Sequence, residues 1–326
     1  MKIKPKNFAL IGAAGYIAPR HMRAIRDTGN KLVAAFDPSD SVGVIDSYHP
    51  DADFFTEFER FDRHIEKLRH EKKLGLDYVT ICSPNYLHDA HVRFALRVGA
   101  NAICEKPLVL NPWNLDALAA IEKETNRKVY TILQLRLHPA IKALRDKVKA
   151  SKGGKRHQVD LTYITSRGNW YLYSWKGDQA KSGGLATNIG IHFFDMLSWI
   201  FGPVRSLEVH SSTPHKTSGI LELEKANVKW FLSIDRNDLP APPVAGKCAT
   251  FRSLKIDGKE VEFSEGFTDL HTESYKQILA GKGFGLKDCR QSVQIAHDIR
   301  HCVPTGINKK SHPLAAKPLS RESRYV

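Results

Sequence analysis

NFALIGAAGYIAPRHMRAIRDTGNKLVAAFDP, residues 7–38, is the stretch whose reading decides the fold. Residues 7–12 are a short apolar run of the kind that forms a buried strand. A helix-like stretch over 16–28 is stopped by Gly29-Asn30, and KLVAAFD, 31–37, reads as a second buried strand. Strand, helix and strand within about 35 residues make a βαβ unit. The basic start, Met1 to Lys6, followed by the apolar 8–19, imitates a secretory signal peptide. The helix and second strand that follow favour the βαβ reading.

The alternation continues outward. DYVTICS (77–83), NAICEK (101–106) and KVYTILQ (128–134) read as strands, with helix-like segments at 57–73, 87–98 and 112–126. This predicts an α/β fold whose N-terminal Rossmann domain, residues 1–135, is a doubly wound parallel sheet. The pattern changes after about residue 155. HQVDLTYITSRG (157–168) is a long alternating strand, followed by a glycine-rich loop and a helix at 188–201. Then VRSLEVHSS (204–212), SGILELEK (218–225), NVKWFLSID (227–235), ATFRSLKID (249–257) and KEVEFSE (259–265) come as consecutive strands. Glu224-Lys225-Ala226 and Asp257-Gly258 look like hairpin turns. A C-terminal α+β domain over 136–302, with a largely antiparallel sheet and helices again over 268–302, is expected. The tail 303–326 carries five basic residues against one acidic and reads as an irregular, arm-like basic extension.

Composition bounds the function. The chain has 326 residues, 42% hydrophobic and 26% charged, which excludes wholesale disorder and a collagen-like chain. No apolar run reaches the roughly 18 residues of a membrane span. Lys+Arg is 49 against 35 for Asp+Glu, a net charge of +14. A positive field attracts nucleic acid, an anionic membrane or a small phosphorylated or carboxylated molecule. The basic residues are dispersed, with no run longer than a pair such as Lys72-Lys73 or Lys309-Lys310. That argues against a nucleic-acid arm and for a small anionic substrate. The cysteines are Cys82, Cys104, Cys248, Cys289 and Cys302, an odd number without metal-ligand spacing. They read as reduced thiols in a cytoplasmic protein that holds no metal.

The chemistry sits at strand ends. The turn Gly12-Ala13-Ala14-Gly15-Tyr16-Ile17-Ala18 varies the dinucleotide fingerprint, where small residues let a pyrophosphate approach backbone N–H groups at a helix start. Asp37, at the end of the second strand with Ser39 after it, is placed to accept hydrogen bonds from a ribose and to repel a 2′-phosphate. It selects NAD over NADP, or it is a plain turn aspartate. SPNYLH (83–88) and CEKPL (104–108) follow further parallel strands, where doubly wound sheets bind ligands. From the residues alone, Lys106 is equally a solvated turn lysine or a functional amine.

These motifs, with Gly190-Ile191-His192-Phe193-Phe194-Asp195, resemble the glucose–fructose oxidoreductase / inositol dehydrogenase (Gfo/Idh/MocA) family over essentially 7–302. The resemblance implies a Rossmann domain that binds NAD(P), an open-faced substrate domain and a homo-oligomer, a dimer or tetramer. Cofactor contacts are then expected from Gly12, Ala14, Gly15, Tyr16, Ile17, Asp37, Ser39, Ser83, Asn85, His88, Glu105, Lys106 and Gln134. Residues 166–195 and 271–285 look like the branch that oxidises the C3 hydroxyl of UDP-2-acetamido-2-deoxy-D-glucuronate, in lipopolysaccharide O-antigen sugar synthesis. Relatives there retain NAD and regenerate it with 2-oxoglutarate. An ammonium beside a cationic nicotinamide is repelled, which suits Lys106 to take the hydroxyl proton. His192 is the second candidate. Asn188, four residues earlier, would share its helix face. Relatives often carry Asp there, and a neutral amide cannot stabilise an imidazolium, which shifts weight to Lys106. Arg167 and Lys176, among the aromatics Tyr171 and Trp175, suit the diphosphate, carboxylate and ring faces of a UDP-sugar acid. Two alternatives stand: a dehydrogenase of another sugar or inositol, and a non-catalytic dinucleotide-binding scaffold or regulator.

Overall fold

The structure is a computed structural model that describes residues 4–70, 74–151, 154–240, 250–263 and 269–317. The chain divides into two compact units, Met1–Leu137 with Thr268–Arg290, and His138–Phe267 with Gln291–Val326. Residues 268–290, grouped with the second domain in the sequence reading, therefore pack in the first unit.

In the first unit the elements run β1 (Asn7–Ile11), α1 (Ala18–Asp27), β2 (Lys31–Phe36), β3 (Asp53–Phe55), α2 (Phe58–His70), β4 (Tyr78–Ile81), α3 (His88–Arg97), β5 (Asn101–Cys104), α4 (Pro112–Thr125) and β6 (Val129–Thr131). The strands pair in parallel in the order β3-β2-β1-β4-β5-β6. That is the doubly wound dinucleotide-binding order, with the switch point beside β1 and β4. Strand β3 is an edge strand of three residues that the sequence reading did not contain. Phe8, Leu10, Val79, Ile81, Ala102 and Ile103 are fully buried, as a sheet covered on both faces requires. Leu118 of α4 and Met22 and Ile25 of α1 close over the sheet.

The second unit opens with α5 (Pro139–Ala150), a helix the sequence reading passed over although His138 caps it and Pro139 starts it. It continues with β7 (His157–Thr165), the single-turn helices α6 (Trp170–Tyr173) and α7 (Gln179–Ser182), and α8 (Ile191–Phe201). Then come β8 (Val204–Ser212), β9 (Lys216–Leu223), β10 (Ala226–Ser233), β11 (Thr250–Ile256) and β12 (Lys259–Glu260). The glycine-rich loop expected before α8 thus holds two helical turns. The expected strand 259–265 is two residues long among those described, and its positions 264–265 lie outside the described residues, as does Cys248. The sheet order is β12-β11-β7-β10-β9-β8. The sheet is largely antiparallel, but β7 and β10 pair in parallel. A meander of consecutive strands does not place β7 at the centre; the crossover through α8 does.

One sheet face packs on α8 through Phe194 against Trp230, ring centroids 5.5 Å apart, and Phe193 against Tyr163. The opposite face carries Ile164 and Phe231, covered by Leu314 and Ala315. The tail expected to be arm-like is, over its described part, a strap. The His312 ring stacks on Phe231, and its Nε2 lies 2.9 Å from Thr162 Oγ1. The buried Lys216 amine donates to Asp238 and to the Lys317 carbonyl. Residues 318–326 lie outside the described residues.

The helical stretch 268–302 is two helices, α9 (Leu270–Leu279) and α10 (Leu286–His301). Cys82, Cys104, Cys289 and Cys302 are free thiols. Among the described residues no helix is long and apolar enough to cross a membrane.

Burial holds the His312 imidazole down to about 4, with Lys229 adding to the effect. The folded chain therefore refuses a proton that the unfolded chain accepts below about 6.5. Above that pH the contribution of His312 is fully present. It is lost as pH falls toward 4, at roughly 1.4 kcal/mol per pH unit. Melting curves between pH 7 and 4 are expected to fall less steeply for His312→Gln than for the native chain. Parallel curves would remove His312 from the acid sensitivity of the strap.

Candidate active site

The turn after β1 is built on close approach. Gly12 has φ +91°, and its N–H donates to the Phe36 carbonyl at 2.8 Å. A Cβ there would stand 2.6 Å from backbone atoms of Cys82 and Ser83. Gly15 and Ala18 N–H groups close the turn onto Gly12 and Gly15 carbonyls. The N–H groups of Tyr16 and Ile17 have no backbone acceptor among the described residues. They lie at the open start of α1, where free donors and the helix dipole suit an anion. Asp37 accepts the Ala14 N–H at 3.0 Å on one oxygen and the Ser39 N–H at 2.9 Å on the other. The carboxylate is thereby fixed at the end of β2, beside the turn. The small residues, the open donors and this fixed carboxylate fit a dinucleotide.

The loops after β4 and β5 are braced to each other. The buried His88 ring lies 2.6 Å from the Pro107 carbonyl and 2.8 Å from the Ser83 carbonyl. Burial pushes its imidazole down. Ser83 Oγ meets His91 Nδ1 at 2.8 Å, and Asn85 is buried in a 3-10 turn. His88 thus ties the SPNYLH loop to the Glu-Lys-Pro turn, whose Lys106–Pro107 peptide is cis. Lys106 is half-buried. Gln134 begins a 3-10 turn, and its Oε1 is buried without a partner among the described residues, an acceptor available to a ligand N–H.

Glu105 does not project from its turn. It is 6% exposed and lies in a side-chain network. Its Oε1 accepts from His21 Nε2 at 2.9 Å and from His271 Nε2 at 3.0 Å, and its Oε2 accepts the Lys106 N–H at 3.1 Å. His21 Nδ1 lies 2.9 Å from Tyr275 Oη, which lies 2.8 Å from Thr80 Oγ1. A carboxylate only accepts, so His21 donates from Nε2. Its Nδ1 then accepts from Tyr275, and Thr80 donates to Tyr275. Burial alone would raise the Glu105 carboxyl, but the hydrogen bonds from His21 and His271 outweigh it and hold the group well below the usual carboxylate range. Burial pushes the His21 imidazole down from its ordinary value, against the hydrogen bond to Glu105, and so favours the neutral ring.

The second unit gathers the other candidates. Tyr171, 2% exposed, accepts a hydrogen bond from Asn188 Nδ2 at 2.6 Å. Burial raises its hydroxyl, against the Asn188 bond and the Arg167 charge. The Lys176 amine lies 4.5 Å from the Trp175 ring centroid, and burial, with Arg167 adding to it, lowers its pKa. Arg167, Tyr171, Trp175, Lys176 and Asn188 are therefore one polar-aromatic group with two cations. Gly177 permits it: a Cβ there would meet the Leu172 carbonyl oxygen at 2.1 Å. Asn188 lies in a π-turn, Ala186–Gly190, ahead of α8, and His192 in the first turn of α8 is half-buried. The expected four-residue α-helical spacing is thus interrupted by a wider turn, a feature that often marks functional positions.

His21, His271 and Tyr275 were missed by the sequence reading. They lie 84 and 166 residues from Glu105 for the histidines, with Tyr275 254 residues from His21. No local spacing reports such a cluster. The weak signals were a histidine on the apolar side of α1 and a histidine and tyrosine four apart in HTESY.

The chain matches the oxidoreductase family with an NAD-binding Rossmann fold over residues 6–132, and its C-terminal alpha/beta domain over 147–235. Two crystal structures of the WlbA (WbpB) dehydrogenase from Thermus thermophilus, one with NAD and alpha-ketoglutarate and one with NAD and UDP-GlcNAcA, are 52% identical. They cover 94% of this chain and 99% of theirs, with a TM-score of 0.89. Inositol 2-dehydrogenase of Rhizobium meliloti is 30% identical over 60% of this chain and 54% of its own length. D-glucoside 3-dehydrogenase of Escherichia coli is 28% identical over 41% of this chain and 39% of its own. The chain thus spans about two fifths to a half of these curated relatives. Its two matched domains cover most of the sequence, and the chain belongs to the Gfo/Idh/MocA oxidoreductase family.

Proposed function

We propose that the chain is an NAD-dependent dehydrogenase that oxidises the C3 hydroxyl of UDP-N-acetyl-D-glucosaminuronic acid to the 3-keto sugar. The observation that carries this is the 52% identity, over 94% of the chain, to a dehydrogenase crystallised with NAD and UDP-GlcNAcA. The positive charge of the chain and the Arg167–Lys176 group agree with a substrate bearing a diphosphate and a carboxylate.

The open N–H groups of Tyr16 and Ile17, the small residues Gly12, Ala14 and Gly15, and Asp37 with Ser39 hold the dinucleotide. Ser83, Asn85 and Gln134 contact it, and His88 and Glu105 act through the loops they fix. When bound, NAD supplies a hydride acceptor. Lys106, in its unprotonated form, takes the hydroxyl proton as C3 loses its hydride. His192 hydrogen-bonds the substrate hydroxyl, and Asn188, Tyr171, Trp175, Lys176 and Arg167 hold the sugar nucleotide. The relative's complex with alpha-ketoglutarate supports 2-oxoglutarate as the acceptor that takes the hydride back, together with a proton, and becomes 2-hydroxyglutarate. A cytoplasmic homo-oligomer acting in O-antigen sugar synthesis completes the reading; light scattering reads its size.

The test is direct. Mass spectrometry of ligands released from the purified protein is expected to show NAD. Adding UDP-GlcNAcA to the protein with NAD is expected to produce reduced-cofactor absorbance, and UDP is expected to raise the melting temperature. Absorbance with inositol or a free sugar but none with UDP-GlcNAcA, and no protection by UDP, would move the chain to another branch of the family.

A further inference from the structure

Beneath the Glu-Lys-Pro turn the protein buries a carboxylate, two imidazoles, a phenol and a hydroxyl where apolar side chains would serve stability as well or better. His271 Nδ1 is buried without a hydrogen-bond partner among the described residues, a cost that a purely structural site would shed. The chain also brings α9 back from residue 270 onward to complete the cluster. What it accomplishes there is specific. Glu105 Oε2 holds the Lys106 N–H at 3.1 Å, and Glu105 Oε1 is gripped from α1 by His21 and from α9 by His271.

We propose that Glu105, clamped by His21 and His271, is a positioning residue for Lys106: it fixes the backbone from which the amine projects and sets a permanent negative charge one residue away from it. This rests on the reading of Lys106 as the proton acceptor. Lys106 begins turnover as a neutral amine and ends it as an ammonium. A fixed anion nearby stabilises the ammonium and so favours proton acceptance. The anion is held in place because the Nε2 atoms of both histidines bond the same oxygen, Glu105 Oε1. Among the described residues, the titratable and charged groups that face the cluster include Arg20 and His21 of α1, Cys82 after β4, His88 of α3, Cys104 at the end of β5, Lys106 in the turn after it, and His271 and Tyr275 of α9, with Asp89 and Cys289 facing Cys104. Burial pushes Cys82, Cys104 and Tyr275 well up, so none of them adds charge near neutrality.

Two readouts test this in the full-length protein. The first needs no substrate: acylation of Lys106 by acetic anhydride, followed by peptide mass spectrometry across pH. Glu105→Gln is expected to move the Lys106 profile to lower pH by about one unit, since the ammonium loses its anion. The second is turnover of UDP-GlcNAcA. Its acidic limb is expected to move the same way, with kcat falling roughly 10- to 100-fold and KM little changed. A folded Glu105→Gln protein whose Lys106 acylation profile coincides with that of the native chain overturns the proposal. Should Glu105→Gln not fold, His271→Leu and His271→Gln decide. His271→Leu is expected to lower kcat about tenfold, and His271→Gln, which keeps an N–H donor, to restore it to within about threefold. Equal kcat in both, with only the melting temperature reduced, makes the cluster structural and overturns the proposal. If the native protein does not oxidise UDP-GlcNAcA while the acylation profile still shifts in Glu105→Gln, the substrate reading has failed and this inference stands.

Discussion

Lys106→Met is expected to fold, to melt within a few degrees of the native protein, to bind NAD, and to lose turnover by roughly 10^3- to 10^4-fold. Methionine matches the lysine stem in length and removes only the amine. Lys106 is half-buried, so the substitution leaves no large cavity. The backbone of the turn is held by the Glu105 carboxylate and by His88 on the Pro107 carbonyl, neither of which the substitution touches. The loss should therefore fall on kcat and not on cofactor affinity. Reduced-cofactor absorbance gives kcat, and calorimetric titration gives the NAD affinity. Turnover within a few-fold of native would take the proton-accepting role from Lys106 and pass it to His192.

Gly12→Ala should destabilise the first unit by about 3 kcal/mol or more and abolish tight NAD binding. Two costs combine. A non-glycine residue at φ +91° is strained by roughly 1–3 kcal/mol. The new methyl would stand 2.6 Å from the Cys82 carbonyl carbon and the Ser83 nitrogen, adding an overpacking cost of about 1–3 kcal/mol. Those are backbone atoms at the end of β4, which is paired on both sides by β1 and β5 and cannot retreat. In a unit of this size the melting temperature should drop by about 6–12 °C. Gly15→Ala is the control. Its Cβ would stand 3.1 Å from the Gly12 carbonyl oxygen at an ordinary φ, so it should melt near the native temperature while obstructing the pyrophosphate. Equal melting temperatures for native and Gly12→Ala would show that the turn relaxes and is not held by β4.

What was legible follows from range. The parallel strands of the first unit announce themselves as apolar runs, because each is buried on both faces and needs no partner information to be recognised. The Gly12–Ala18 turn, Asp37 and the Glu-Lys-Pro turn fall at strand ends for the same local reason. Strand β3 escaped notice because Asp53–Phe55 is too short to show a period. Helix α5 had a cap and a leading proline that went unread. The acid dependence expected of His312 has no local signal, since the tail carries no sign of the aromatic face it covers.

The sequence by itself determined the two architectures, the dinucleotide turn and Lys106 as the residue to watch, because apolar periodicity, glycine placement and strand-end motifs are all encoded within a few residues. Only the tertiary structure decided that β7 sits at the centre of its sheet beside a parallel β10, that Asn188 leaves the α-helical path to meet Tyr171, and that Glu105 turns inward onto His21 and His271. Each of these is a pairing between groups far apart along the chain, chosen by which buried donors and acceptors find partners once the sheet has formed. That choice leaves no trace in local composition.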